Sequence, residues 1–362
     1  MNWDTDDLLL EKVDHGTRTM ILASFAADLA QGNTWKGKPV RAGTIDGYLR
    51  HVASLLTRFY DRDPRFDNVT DKMMSPSIHA VLNECRRFEN MPNRRDPYSL
   101  QMHDTFHTLN RESCAPFLGL DRACEDWFGL GLYLGFRLQE WAQDDEHRAL
   151  TNPAKALNNT LRALTLGDIK FFDSRGRPVP VETFLADRDS VSYVLIIFSW
   201  QKNLNLGEER RLDSNSHSPD RCGVTALHSI LVRFNQLVGI SNTTTPLAVY
   251  QRPTGDSLFI HSKVITQTLR RVAKITYSLT EAELHKHYSF SSHSLRVGAC
   301  VLLHAAGVNA IRIKFLLRWK SDSFMFYLRN VAHLCDTQNR AFAAPPAAST
   351  AASTSSALPI VF

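Results

Sequence analysis

Little in this sequence is extreme, and what it lacks narrows its class. Its six cysteines form no C-x-x-C pair and no dense cluster. Cys85, Cys114, Cys124, Cys222, Cys300 and Cys335 therefore read as reduced thiols of an intracellular protein. No stretch reaches the roughly 18–20 apolar residues of a membrane-crossing helix, so no membrane partner is expected. No glycine-rich phosphate loop is written into it. The opening MNWDTDDLLLEK is acidic, unlike a secretory signal. Charge of neither sign dominates: 42 Lys and Arg stand against 37 Asp and Glu, a net of +5. That balance permits a nucleic-acid partner without demanding one.

What is present begins with length. The chain has 362 residues, 43% of them hydrophobic, enough for two domains with cores of their own. The first part reads as all helix. From Thr44, Ile45, Tyr48, Leu49, Val52, Leu55, Leu56, Phe59 and Tyr60 follow a 3.6-residue period. Further helices are expected over 17–31 and near 76–89, with breaks at Asp61–Pro64 and Met91–Pro97. The second break serves as a linker, giving a helical domain over 1–96 and a larger one over 97–342. Residues 343–362 begin as AAPPAASTAASTSSAL, a low-complexity run expected to be disordered. Arg86, Arg87, Arg94 and Arg95 cluster at the end of the first domain. Taken alone they read as a solvated helix end, and beside a phosphate site they become candidate DNA-backbone contacts.

The larger domain reads as mainly α with a small sheet. Helices are expected over 101–110 and 121–136, the latter with an apolar stripe of Trp127, Leu130, Tyr133 and Leu134. Short, partly alternating or β-branched runs at Leu166–Phe172, Val191–Trp200 and Glu208–Leu212 predict three strands. A polar turn, QKNLNLG, joins the last two and carries Lys202. Helices resume over 223–238 and 262–278. Arg270, Arg271 and Lys274 on the latter can track phosphates or form an ordinary wet face. His285 and His287 stand two apart with no nearby cysteine, so neither zinc nor any other metal is expected.

The densest chemistry lies in Ser291–Asn330. Ser291 or Ser292 can cap a helix from about His293, and Gly307 can end it. His293 and Arg296 are three apart and share a face. Val301, Leu302 and Leu303 are expected to fall toward the core. Asn309 can cap a second helix with Ile313, Leu316 and Leu317 inward, which leaves Arg312, Lys314 and Arg318 outward or toward a ligand. Ser321 can cap a third helix carrying Tyr327. A phenol with a pKa near 10 is a poor nucleophile unless other groups stabilise the charge on its target. Arginine forks match phosphate oxygens, a histidine can move a proton, and an indole N–H can only donate. Together, H-x-x-R, Trp319 and Tyr327 read as a covalent phosphoryl-transfer site that needs no cofactor.

The pattern resembles the tyrosine recombinase (phage integrase) family. HSLRVGA and the ending YLRN look especially like Cre-like recombinases and those of Crypton-type mobile elements. The resemblance covers about 98–340 well and the first hundred residues loosely. Trp319 lies twenty-three residues after Arg296, and Tyr327 eight after Trp319, where nine is commoner in the family. The resemblance implies a helical core-binding clamp followed by a mixed α/β catalytic domain. It also implies a first catalytic arginine in R-x-x-E, matched by Arg137 with Glu140 steadying the site from behind. By residues alone, Arg137 reads better as a core-edge arginine held by Glu140. The family's hairpin lysine, which protonates the leaving group, is matched by Lys202, with Lys170 the rival. The implied catalytic set is Arg137, Lys202, His293, Arg296, Trp319 and Tyr327. Arg86, Arg87, Arg94, Arg95, Arg270, Arg271 and Arg318 are candidates for DNA contact. Double-stranded DNA, a homotetramer on two sites and, for a eukaryotic mobile element, a nuclear location follow as expectations. A catalytically silent DNA-binding descendant and a type IB topoisomerase are the competing readings.

Overall fold

The apolar spacing of the first hundred residues closes helices around a small core. In the computed structural model, residues 13–34, 37–60, 62–66, 73–89, 95–143, 152–153, 163–199, 207–215 and 217–328 are described. The chain divides into two compact units, Met1–Asn93 and Arg94–Phe362.

In the first unit, α1 spans His15–Gln31, α2 Ala42–Tyr60 and α3 Pro76–Phe88. Asp14 caps α1 by accepting from the Thr17 amide at 3.0 Å. Gly32 closes it with φ 87°, a left-handed turn that suits glycine. Leu22, Ala26, Leu29, Ile45, Leu49, Ile78 and Leu82 form the core. The broad apolar stripe of α2 splits on folding: Ile45, Leu49 and Leu56 are buried, while Tyr48, Leu55 and Phe59 remain exposed.

The second unit begins with α4 (Leu100–Glu112), α5 (Leu120–Leu134) and the single turn α6 (Leu138–Trp141). Trp127 and Trp141 stack at 5.0 Å between ring centroids within its core. Then come β1 (Ile169–Phe172), α7 (Val181–Ala186), β2 (Tyr193–Phe198) and β3 (Glu208–Asp213). They form an antiparallel sheet in the order β1-β2-β3, with Ile169 opposite Ile196 and Val194 opposite Leu212. Alternate side chains of β2, Val194, Ile196 and Phe198, are buried, as a half-covered sheet requires. The expected first strand is shorter than its apolar run: Leu166–Asp168 is a 3-10 turn, because the Asp168 carboxylate accepts from the Thr165 amide at 2.8 Å.

Next come α8 (Gly223–Leu237), β4 (Val249–Gln251), β5 (Ser257–Phe259), α9 (Ser262–Thr276) and α10 (Glu281–His287). The described part ends with α11 (His293–Ala305), α12 (Ala310–Leu316) and α13 (Met325–Leu328). The architecture is thus mainly helical, with a small three-stranded antiparallel sheet and a two-stranded hairpin, β4-β5. No helix among the described residues is long and apolar enough to cross a membrane. The expected tail over 343–362 lies outside the described residues.

Candidate active site

Helix α11 starts where the Ser291 hydroxyl accepts from the His293 amide at 3.3 Å. Its buried face is Ser294 to Cys300. The expected inward trio Val301, Leu302 and Leu303 is only half-buried, because the helix leaves the core after its second turn. Gly298 is required by packing: a Cβ there would run into the carbonyl of Tyr98. The same approach places the Tyr98 amide 3.0 Å from the Ser294 carbonyl. Gly307 turns the chain with φ 79°, and Asn309 caps α12 by accepting from the Arg312 amide at 2.8 Å. A 3-10 turn, Asp322–Phe324, then leads into α13 and Tyr327.

Two arginines distant in sequence are brought together behind α11. Helix α5 ends at Gly135, where φ is 54° and a Cβ would stand 2.7 Å from Leu317 Cδ2. Without a side chain there, the end of α5 can lie against the end of α12. Arg137 follows as the residue before α6. Glu140 accepts from its backbone amide at 2.8 Å and from its Nη1 at 2.7 Å. Arg137 Nη2 donates to the Arg318 carbonyl at 3.0 Å. Arg296, 1% exposed, donates to the carbonyls of Gly135 at 2.5 Å, Leu317, and Arg318 at 3.3 Å. Its guanidinium also lies 4.4 Å from the centroid of the Trp319 ring. No carboxylate stands within ion-pair distance of Arg296 among the described residues.

The nucleophile candidate meets this cluster from the other side. His293 Nε2 lies 3.0 Å from the Tyr327 hydroxyl. The Trp319 ring centroid is 6.2 Å from that of His293 and 5.9 Å from that of Tyr327. The buried Trp319 Nε1–H has no hydrogen-bond partner among the described residues. Beside these groups opens a cavity of about 460 Å³, lined by Arg137, Leu138, Gln139, Ser292, His293, Arg296, Trp319, Lys320, Ser321 and Ser323. No carboxylate is among the described residues of its lining.

The electrostatics favour an anion. Burial first, then Arg296, Arg95 and Arg137, push the His293 imidazole down to about 4. At neutral pH it is uncharged, so Nε2 can accept the phenol proton when Nδ1 holds the ring proton. Burial, with Arg137 and Arg318 nearby, lowers Arg296 to about 9, which leaves it charged at pH 7. A buried cation without its own carboxylate is costly unless a ligand supplies the charge.

The structure thus gathers five of the expected catalytic side chains, Arg137, His293, Arg296, Trp319 and Tyr327, with Glu140 behind them. Lys202 and Arg94 lie outside the described residues. Lys170 stays on β1, 4.0 Å from Glu209. Arg318 corrects the sequence reading, which left it outward or toward DNA. Its side chain is fully buried, paired with Glu140 Oε2 at 2.7 Å and stacked 3.7 Å over the Phe198 ring. The α12 period could not reveal this, because Arg318 lies past the end of that helix in a left-handed turn. The DNA-contact candidates Arg86 and Arg87 are engaged along α3 with Asn83 and Glu84. Arg271 pairs with Asp121 at 2.6 Å, and Arg270 beside it on α9 is half-buried. Arg95 belongs near the site: its Nη1 donates to Ser289 Oγ, and its charge reaches His293. Lys320, Ser292 and Ser321 also line the cavity, unannounced by any motif except their closeness to His293 and Trp319 in the chain.

No family model matches the chain, and no curated protein sequence matches it. Solved structures with a similar course include the Tn1549 transposon integrase in complex with circular intermediate DNA, 14% identical, with 89% of this chain and 84% of that one covered and a TM-score of 0.45. The XerH site-specific recombinase bound to a palindromic difH substrate in a post-cleavage complex is 13% identical, with 90% of this chain and 71% of that one covered and a TM-score of 0.46. The XerA recombinase is 11% identical, with 90% and 98% covered and a TM-score of 0.38.

Proposed function

We propose that this chain is a tyrosine recombinase that cuts and rejoins double-stranded DNA through a phosphotyrosine on Tyr327. One observation carries the reading. The hydroxyl of Tyr327 lies 3.0 Å from the neutral imidazole of His293, which lines one cavity with Arg137, Arg296 and Trp319, and the buried Trp319 N–H has no partner among the described residues.

The chemistry follows from those groups. The Tyr327 oxygen attacks the scissile phosphorus while His293 Nε2 takes its proton. Arg137 and Arg296 hold the non-bridging oxygens as charge builds on them, and Trp319 adds a single donor. The bond from phosphorus to the 5′-oxygen breaks, leaving a 3′-phosphotyrosine. Lys202 gives the departing oxygen its proton. A 5′-hydroxyl from another strand reverses these steps, so the energy of the broken bond is retained and no cofactor is needed. In the same reading the first domain is one jaw of a DNA clamp, with Arg86, Arg87 and Arg94 along the backbone. The acting species is a homotetramer on two duplexes, and HSLRVGA and YLRN favour a Cre-like or Crypton-type mobile-element enzyme, working in a nucleus if the element is eukaryotic and in the cytoplasm or nucleoid otherwise.

The test uses nicked suicide duplexes built from the DNA flanking the reading frame, incubated with the full chain in EDTA. A covalent protein–DNA adduct is expected, and Tyr327→Phe abolishes it. An adduct that requires a divalent metal, or that persists in the Phe variant, sinks the mechanism. Binding without an adduct assigns the chain to the silent DNA-binding class instead.

A further inference from the structure

Helix α12 ends in a way that usually calls for glycine. The Trp319 amide donates to the Lys314 carbonyl at 2.9 Å and the Arg318 amide to the Phe315 carbonyl at 3.1 Å. Those two bonds make a Schellman cap, whose left-handed residue is most often glycine because a Cβ there is strained. Here that residue is Arg318, with φ 57°. Cys114 and Ser278 are the other non-glycine residues with positive φ among those described.

The left-handed turn has a consequence inside the site. It places the Arg318 carbonyl where Arg137 Nη2 and Arg296 Nη2 both donate to it, at 3.0 and 3.3 Å. The side chain of the same residue is buried and finds two further partners through its terminal nitrogens. Nη1 donates to the Leu134 carbonyl at 3.0 Å, and Nη2 to Glu140 Oε2 at 2.7 Å. Glu140 is also the carboxylate that grips Arg137. One residue thus bridges the end of α5, the turn before α6 and the end of α12, and none of its donors faces the cavity. Backbone strain of this kind persists where the surroundings over-determine it, and it clusters at working sites.

We propose that Arg318 is a positioning residue: its inward-turned carbonyl is the common acceptor that sets Arg137 and Arg296 side by side, and its guanidinium locks the turn by gripping Glu140 and the Leu134 carbonyl. The inference deepens the recombinase reading and rests on it for the meaning of the two guanidiniums. It does not rest on it for the geometry. Arg318 touches no substrate; it acts through the two arginines that do.

Two variants separate carbonyl from side chain. Arg318→Gly and Arg318→Val both delete the guanidinium, but only glycine keeps the left-handed turn at little cost, since β-branched residues resist positive φ. At saturating nicked duplex, the rate of adduct formation should fall about tenfold for Gly and about a thousandfold for Val, the scale of lost orientation and of a lost charge-stabilising donor. The dissociation constant for the duplex should stay within about threefold of wild type in both, a split between catalysis and binding that loss of folded protein would not produce. Equal rates for the two variants, or a loss that follows the folded fraction alone, overturn the proposal. A second readout needs no cleavage: orthovanadate, a phosphate mimic, should raise the unfolding midpoint of wild type and the Gly variant but not of the Val variant. If wild type forms no adduct yet shows this pattern, the cleavage reading fails and the positioning role stands. If vanadate stabilises neither or both variants while the adduct rates also coincide, the positioning role fails by itself.

Discussion

His293 Nε2 and the Tyr327 hydroxyl lie 3.0 Å apart, although one opens α11 and the other sits in the last described turn of the chain. The pair is useful as acceptor and donor only while the imidazole is neutral. Burial and three guanidiniums hold His293 at about 4, well under its usual range. The sign of the pH dependence follows. The working form exists above the folded-state value and is lost as pH falls through it. The second-order rate of adduct formation at limiting DNA, which reports the free protein, should therefore hold through pH 6 and fall toward pH 4. Arg95→Gln removes one of the charges that lower His293, so its acid limb should move up. An acid limb near pH 6.5 in wild type, or one that Arg95→Gln leaves in place, contradicts the assignment.

Trp319 offers a sharper separation of roles. Its buried N–H has no partner among the described residues, and an unsatisfied buried donor costs about 1–3 kcal/mol. Trp319→Phe keeps an aromatic ring under Arg296, deletes that donor and gives up part of the indole's packing against the cluster around Phe324. The lost packing offsets the relieved donor, so stability should stay within about 1 kcal/mol of wild type in denaturant unfolding, while adduct formation should fall roughly a hundredfold. A variant that loses stability and keeps its rate would make Trp319 a packing residue only.

Glu140 stands between two guanidiniums, at 2.7 Å from Arg137 Nη1 and 2.7 Å from Arg318 Nη2, with its side chain fully buried. Removing one partner of a buried pair leaves the other charge uncompensated and costs about 3–5 kcal/mol. Glu140→Ala should cost that much in the unfolding transition of the second unit. Glu140→Gln, which keeps an acceptor oxygen, should cost less. An Ala variant as stable as wild type would show that water, rather than protein, satisfies Arg318.

The elements legible from the sequence were those with strong local periodicity or spacing. The helices over 17–31, from Thr44, and over 223–238 follow their 3.6-residue patterns; β1 and β2 lie within their expected runs, and β3 covers the expected Glu208–Leu212 and one residue more. His293 and Arg296 share a face because they stand three positions apart, and R-x-x-E closes on itself as Arg137 and Glu140 do. What escaped depended on partners far away in the chain. Arg318 looked like a surface cation because nothing near it shows that Glu140 and the Leu134 carbonyl wait inside. Arg95 looked like part of a basic helix end, and only the fold brings Ser289 to it. Two other misses left traces. Pro253 and Gly255 mark the β4-β5 turn, and Thr280 with Glu283 makes the capping box that starts α10.

Gly298 tests how tightly the start of the second unit is held to the helix that carries His293 and Arg296. A Cβ at Gly298 would collide with the Tyr98 carbonyl and sit 3.2 Å from Leu132 Cδ2. The first of these is backbone, tied to α11 by the Tyr98 amide bond to Ser294, and cannot step aside as a side chain would. Gly298→Ala should therefore destabilise the second unit by about 1–3 kcal/mol, the range for overpacking a filled core. Because the shift would be taken up along α11, adduct formation should fall as well, beyond what the folded fraction explains. Gly47 is the control: it lies inside α2, and a Cβ there would meet nothing within 4 Å. At that position the same substitution gains helix propensity without a clash, and Gly47→Ala should stabilise the first unit by roughly 0.5–1 kcal/mol. Unfolding midpoints that move in the same direction for both variants would mean that α11 does not lie against Tyr98.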